Sequence, residues 1–156
     1  VNKHGGPEVL AFEKVDTPRI GAGEVLVKIE SAGINFIDTY QRSGLYQIPL
    51  PSTLGLEAAG TVVEAGGNVT RLNIGDRVAY TNVAGAYAEF AAVPADKLVL
   101  IPEGVSFDQG TAAMLTRSAH WFCTRAPTPH PLWPTCGGAR PLDSFSFLAC
   151  RIHQSG

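Results

Sequence analysis

The segment GINFIDTYQRSGLY occupies residues 33–46, and GLEAAG follows it at residues 55–60. The first segment comes directly after an apolar run and places polar side chains where that run ends. Asn35 can cap a helix with Asp38 at its third position, and Ser43 and Gly44 can end that helix after about two turns. The segment therefore predicts a strand, a short helix and a site where the two meet.

Short strands are predicted on both sides of this segment. The sequence EVLVKIE at residues 24–30 partly alternates apolar and charged side chains, as a half-buried strand does. Further short apolar runs, bounded by Gly, Asn, Asp or Pro, lie at residues 9–12, 58–65, 77–81, 87–93 and 98–101. This spacing predicts a mainly β protein, a closed or nearly closed β-barrel, with a second short helix at about residues 106–115.

Composition restricts the classes of function. The chain of 156 residues is 45% hydrophobic and 17% charged, which suits one domain with a sizeable core. Its net charge of -2 and the lack of a basic patch argue against binding to nucleic acid or to an anionic membrane. No apolar run is long enough for a signal peptide or a membrane span. We therefore expect a cytoplasmic protein whose partners are small neutral molecules or other proteins.

The character of the sequence changes at Thr124. Residues 124–156 carry five of the eleven prolines and show no sustained strand or helix periodicity. The three cysteines, an odd number, lie only in the last third of the chain, which favours reduced thiols over disulfides. We therefore expect a folded domain over residues 1–123 and an irregular, proline-rich tail over residues 124–156 that is poorly ordered or only loosely docked.

Four motifs identify a family resemblance. They are GGPEVL at residues 5–10, the segment at 33–46, GDRV at 75–78 and AAML at 112–115. In this order they resemble the zinc-free quinone oxidoreductases (zeta-crystallin-like), a branch of the medium-chain dehydrogenase/reductase superfamily, over residues 1–115. The resemblance implies a GroES-like, partly open β-barrel as the substrate-side domain of an NADPH:quinone oxidoreductase. It is also compatible with homo-oligomers of a full-length form.

The resemblance also implies a set of site residues. Asn35, Asp38, Tyr40 and Tyr46 would face the nicotinamide end of NADPH and the quinone. Asn35 and Tyr46 would be catalytic, because their amide and hydroxyl groups can donate hydrogen bonds to the oxyanion that develops on the quinone. Purely structural roles are open for the same residues: helix capping for Asn35 and Asp38, and packing for the two tyrosines.

Glu57 is the one acidic residue in a mostly apolar strand start. A buried carboxylate requires a partner, and Arg42 or Arg77 are the first candidates. An internal ion pair is therefore favoured over a catalytic acid.

The chain departs from the family pattern after residue 115. A strand, a glycine-rich turn and a helix of a nucleotide-binding domain should follow, yet the remaining residues show no βαβ pattern. We therefore expect no complete Rossmann domain, a truncated form, weak or absent NADPH binding and little activity of this chain alone. Two alternatives remain: a non-catalytic GroES-like interaction module, and an enone or alkenal reductase of the same superfamily.

We predict that the protein binds no zinc. In zinc-dependent relatives the positions of Asn35 and Leu56 carry Cys and His ligands, whereas an amide oxygen is a poor zinc ligand and a leucine is none. Elemental analysis of the purified protein should find well below one zinc ion per chain. A stoichiometric zinc content would contradict the prediction.

Overall fold

The computed structural model describes residues 1–114 and the backbone of residues 149–151. The strands are β1 (Glu24–Gly33), β2 (Glu57–Ala65), β3 (Arg77–Thr81), β4 (Phe90–Pro94), β5 (Val99–Leu100) and β6 (Ala149–Arg151). Helix α1 spans Phe36–Ser43, and helix α2 is described over residues 107–114. Two 3-10 turns lie at Pro7–Val9 and Ala95–Lys97. None of the helices in the described ranges could span a membrane.

The strands form one antiparallel sheet in the order β4-β1-β2-β3-β5, and β6 also pairs with β1. Within the described residues, the terminal strands β4 and β5 are not paired with each other, so the sheet is open. The expected mainly β fold with short helices is confirmed. Of the closed and partly open arrangements, the structure adopts the open one.

The strand expected at residues 9–12 is wrong. Pro7 begins a 3-10 turn, which the hydrogen bond from the Leu10 N–H to the Pro7 carbonyl closes. The following residues have no regular structure, and the side chain of Phe12 is 99% exposed. The apolar run had suggested a short strand or strand end, but proline at the first position of a turn favours helical geometry instead.

The core lies between the strands and consists mostly of β-branched side chains. Val25 and Val27 of β1, Val62 of β2 and Val78 of β3 are almost completely buried. Burial of each such side chain stabilises the fold by roughly 1.5–3 kcal/mol. Tyr80 of β3 is also fully buried, its hydroxyl has no hydrogen-bond partner among the described residues, and burial raises the pKa of this hydroxyl.

Residues 149–151, which lie in the expected tail, form strand β6. Their backbone pairs with Ser31–Gly33 of β1, so the chain is regular there. β4 covers only residues 24–28 of β1, which leaves the edge at 31–33 available to a second strand. The other residues of 124–156 lie outside the described residues, and the domain boundary at residue 123 stays a prediction.

Strands β1 and β2 come close together where their register shifts. The shift lies between Ile29 and Ser31, and Gly60 of β2 is the partner of Ile29. A β-carbon at position 60 would lie 2.0 Å from the carbonyl oxygen of Lys28. Glycine is therefore required at this position because any side chain would collide with the backbone of β1.

We predict that Gly60→Ala lowers the free energy of unfolding by about 2–3 kcal/mol, because the two strands must separate to admit the methyl group. Gly67→Ala is the matched control, since a β-carbon there meets no atom within 4 Å. We expect it to change stability by less than about 0.5 kcal/mol. Urea unfolding of both variants measures the difference, and equal losses would show that the contact at Gly60 is not tight.

Candidate active site

The candidate site lies at the corner where β1 passes into α1. Asn35 has an extended backbone, with φ of -127° and ψ of 154°, and stands at the N-cap of the helix. The Asp38 carboxylate reaches back and accepts a hydrogen bond from the Asn35 backbone N–H at 2.8 Å. Asn35 and Asp38 form a capping box at the start of the helix. The helix start expected from the sequence is confirmed.

The side chain of Asn35 points to a buried acid. Its Nδ2 donates a hydrogen bond to Oε1 of Glu57 at 3.0 Å, and Glu57 is 6% exposed. A β-carbon at Gly33 would lie 2.1 Å from the same Oε1, so this glycine makes room for the carboxylate. Because a carboxylate only accepts hydrogen bonds, it selects the NH₂ end of the amide. The orientation of the Asn35 side chain is therefore determined by Glu57.

Arg77, one of the two arginines considered as partners of Glu57, makes other contacts. Nη2 of Arg77 donates to the carbonyl oxygen of Val105 at 2.6 Å, and its guanidinium lies 4.5 Å from the centre of the Phe107 ring. The buried Nε of Arg42 has no hydrogen-bond partner among the described residues. Arg77 thus joins β3 to the start of α2, where a cation–π contact adds to packing.

Tyr87 is a residue of the corner that the sequence did not reveal. Its hydroxyl donates a hydrogen bond to Oδ2 of Asp38 at 2.7 Å, and Asp38 is only 5% exposed. The sequence predicted a strand beginning at Tyr87, whereas β4 begins at Phe90 and leaves Tyr87 in the preceding loop. The one available signal is indirect, since a buried carboxylate needs donors from elsewhere in the chain.

The predicted aromatic residues lie together on the exposed side of α1. The rings of Tyr40 and Tyr46 meet edge to face, with centroids 5.5 Å apart and planes at 66°. The backbone N–H of Tyr46 donates to the Tyr40 carbonyl at 3.1 Å, which keeps the two residues adjacent. Phe36, one turn before Tyr40 on the helix, is 82% exposed. This exposed aromatic face could contact a flat ring.

The far end of α1 is closed by the beginning of the chain. Gly44 adopts the left-handed conformation, with φ of 85°, and ends the helix as expected. The N–H of Gly5 donates to the Arg42 carbonyl at 3.0 Å, and Nδ1 of His4 lies 3.1 Å from the Gln41 carbonyl oxygen. The Gln41 carbonyl also accepts the N–H of Gly44, whereas the Arg42 carbonyl has its donor in Gly5. Residues near the start of the chain thus complete the hydrogen bonding of the helix end.

The structure thus places the four predicted site residues in two environments. Asn35 is half-buried and Asp38 is buried, and a hydrogen bond joins them. Tyr40 and Tyr46 are exposed and in contact with each other. Within residues 1–114, no group of three or more His, Cys, Asp or Glu side chains could hold a metal ion. The absence of zinc stays a prediction.

Comparison with known proteins defines the class. The alcohol dehydrogenase GroES-like domain matches residues 21–103, more than half of the chain. The protein therefore belongs to this family, as the fold and the four motifs had indicated.

Several similar proteins are quinone oxidoreductases. The chain is 50% identical to the quinone oxidoreductase of Pseudomonas aeruginosa over 114 residues, which cover 72% of this chain and 35% of that protein. A quinone oxidoreductase structure from Pseudomonas syringae matches with 44% identity and a TM-score of 0.77, covering 80% of this chain and 39% of that one. The Escherichia coli quinone oxidoreductase complexed with NADPH matches with 43% identity and a TM-score of 0.71, with the same coverage.

These matches confirm the resemblance to an N-terminal segment of the quinone oxidoreductases. The chain spans little more than a third of the length of the relatives that it matches.

We predict that Asn35→Asp destabilises the protein by about 2 kcal/mol near pH 7, because it replaces the donor to Glu57 with a second carboxylate. In the unfolded chain both carboxyls ionise near an ordinary pKa of about 4, whereas the folded variant favours keeping one proton. The loss should therefore grow as the pH rises above about 4 and shrink below it.

Asn2→Asp is the matched control, because Asn2 also donates to a glutamate, Glu13, at 2.7 Å, but on the exposed surface. We expect this change to cost less than about 0.5 kcal/mol at any pH. Thermal unfolding of both variants between about pH 4 and 7 gives the comparison. Equal behaviour of the two would contradict the buried contact at Asn35.

Proposed function

We propose that the chain is the substrate side of a zinc-independent, NADPH-dependent quinone oxidoreductase. The main support is the identity of 40–50% to quinone oxidoreductases of bacteria and mammals over 114–126 residues. The match to the GroES-like domain family, at residues 21–103, contains the whole corner. A second support is geometric, since an oriented amide stands at the N-cap of α1 and an exposed tyrosine pair lies on and just after the same helix.

The residues of the corner suit a quinone as substrate. A quinone is a flat, neutral ring whose oxygens only accept hydrogen bonds, and it becomes negatively charged at oxygen when it takes up a hydride. The Tyr46 hydroxyl and the Asn35 amide supply donors for that charge. Edge and face contacts with the rings of Tyr40 and Tyr46 would orient the substrate.

The same residues fit the nicotinamide end of NADPH. When bound, NADPH supplies the hydride. In the proposal Asn35, Tyr40 and Tyr46 contact the nicotinamide end, and Asp38 contributes by holding the Asn35 backbone. A nucleotide also needs its pyrophosphate held at a helix N-terminus after a parallel strand. Among the described residues all strand pairs are antiparallel, so that part of the cofactor has no such site there.

A second candidate function is a non-catalytic interaction module. It is favoured by the exposed apolar side chains on and after α1, where Phe36 is 82%, Leu45 68% and Tyr46 52% exposed. Apolar surface of this kind commonly marks a contact with another protein or with a second copy of the same chain.

The proposal also covers the cellular location and the partners of the protein. We place the protein in the cytoplasm with a small-molecule quinone as its partner, without nucleic acid or membrane. A homo-oligomer is proposed for a form that includes a nucleotide-binding half. The choice of a quinone over an enone acceptor rests on the names of the relatives.

We predict that the polypeptide of residues 1–156 shows no saturable NADPH binding below about 1 mM and no quinone reduction, because most affinity for a dinucleotide comes from its phosphates and riboses. A fusion of residues 1–114 to the nucleotide-binding half of the Pseudomonas aeruginosa enzyme should do both. NADPH fluorescence and NADPH oxidation measure binding and turnover. A suitable acceptor is tetramethyl-1,4-benzoquinone, whose ring has no free position for cysteine addition.

Variants of the fusion separate the roles of the Asn35 amide, the Tyr46 hydroxyl and the Tyr46 ring. Asn35→Ala and Tyr46→Ala should lower turnover, Tyr46→Phe should retain ring contacts but lose the donor, and Phe12→Ala should have no effect because Phe12 is exposed elsewhere. Turnover by the 156-residue polypeptide would contradict its proposed inactivity. An inert fusion would favour the interaction module.

A further inference from the structure

We infer that Tyr87 is a positioning residue of the candidate site, which holds the corner of Asn35 and Asp38 in place without contacting substrate. The inference deepens the proposed function and rests on it for its catalytic part. The hydroxyl of Tyr87 donates to Oδ2 of Asp38 at 2.7 Å, and the same oxygen accepts the Asn35 backbone N–H at 2.8 Å. A single carboxylate oxygen thus joins the tyrosine to the backbone of the site residue.

Because Asp38 is buried, loss of the hydrogen bond from Tyr87 should disturb the structure of the corner. With Asp38 only 5% exposed, water cannot readily replace a lost donor. Hydrogen bonds to an ionised acceptor are shorter and stronger than those between neutral groups, and 2.7 Å is within that range. Removal of the Tyr87 hydroxyl should therefore loosen the carboxylate and the backbone N–H that it holds.

Tyr87 is itself held by the loop that leads into β2. Its backbone N–H donates to the Leu54 carbonyl at 3.0 Å, and the N–H groups of Gly85 and Ala86 donate to the Gly55 carbonyl. The ring lies against Gly55, where a β-carbon would be 2.6 Å from Cδ1 of Tyr87 and where φ is 89°. Only glycine combines this backbone conformation with such a close ring contact.

The same loop also delivers Glu57. Two residues after Gly55, Glu57 accepts the hydrogen bond from the Asn35 side chain at 3.0 Å. Two contacts therefore hold the corner: Glu57, at the start of β2, orients the amide of Asn35, and Tyr87, which packs on the loop before β2, holds the Asn35 backbone through Asp38. A catalytic donor must keep its direction while the substrate changes charge. The hydrogen bonds made by Glu57 and by Tyr87 through Asp38 provide that rigidity.

The test compares Tyr87→Phe with Tyr80→Phe in the full 156-residue chain. Each change removes one hydroxyl, but that of Tyr80 has no partner among the described residues. In ¹⁵N NMR spectra, Tyr87→Phe should shift the backbone and side-chain amide signals of Asn35 and speed exchange of its backbone N–H about tenfold, as loss of one hydrogen bond would. Tyr80→Phe should leave them unchanged.

Asp38→Asn provides a second route to the same result. It keeps an oxygen of similar position but removes the charge, and it should move the Asn35 signals without loss of the fold. Unfolding midpoints of all three variants show whether each is folded. Unchanged Asn35 signals in folded Tyr87→Phe would overturn the inference.

Activity of the fusion protein tests the catalytic part. Tyr87→Phe should lower kcat with tetramethyl-1,4-benzoquinone about tenfold and leave the KM for NADPH within about twofold, because the residue acts through Asn35 and not on the cofactor. Tyr80→Phe should leave both constants unchanged. An unchanged kcat in Tyr87→Phe would overturn the catalytic role. If the unmodified fusion is inert, the proposed function fails, while the Asn35 signals still decide whether Tyr87 positions the corner.

Discussion

The structure around the candidate site depends on the burial of one carboxylate. Glu57 opens β2 inside an apolar sheet, where an ionised group is costly unless donors surround it. Its requirement for a donor determines the direction of the Asn35 amide, and its bulk requires glycine at position 33. The end of β1, the start of α1 and the start of β2 are thereby joined by polar contacts as well as by packing.

Local chemistry was enough to predict much of the fold. The side chains and backbone preferences of Asn35, Asp38 and Gly44 predict where the helix begins and ends. The structure confirms both ends of α1. The strand at residues 77–81 has the bounds that its turn residues indicated. These features depend on neighbours within a few positions, which is the range over which a single sequence is informative.

Features that depend on contacts between residues far apart in the sequence could not be predicted from local sequence patterns. The contact of Tyr87 with Asp38 joins residues 49 positions apart, and no periodicity reports it. The pairing of β6 with β1 likewise depends on which strand edges are occupied in three dimensions. The predicted burial of Glu57 is confirmed, and its carboxylate accepts a hydrogen bond from the distant Asn35 amide.

The closing of α1 by His4 and Gly5 has a mechanical consequence for the helix. The carbonyls of Arg42 and Gln41 contact Gly5 and His4, which lie far away in the sequence. The first part of the chain therefore stabilises the end of the helix. Tyr46 follows that end by only a few residues. A protease cut or a bulky fusion partner near residue 5 would therefore release the end of α1 and alter the aromatic face, although neither touches the site itself.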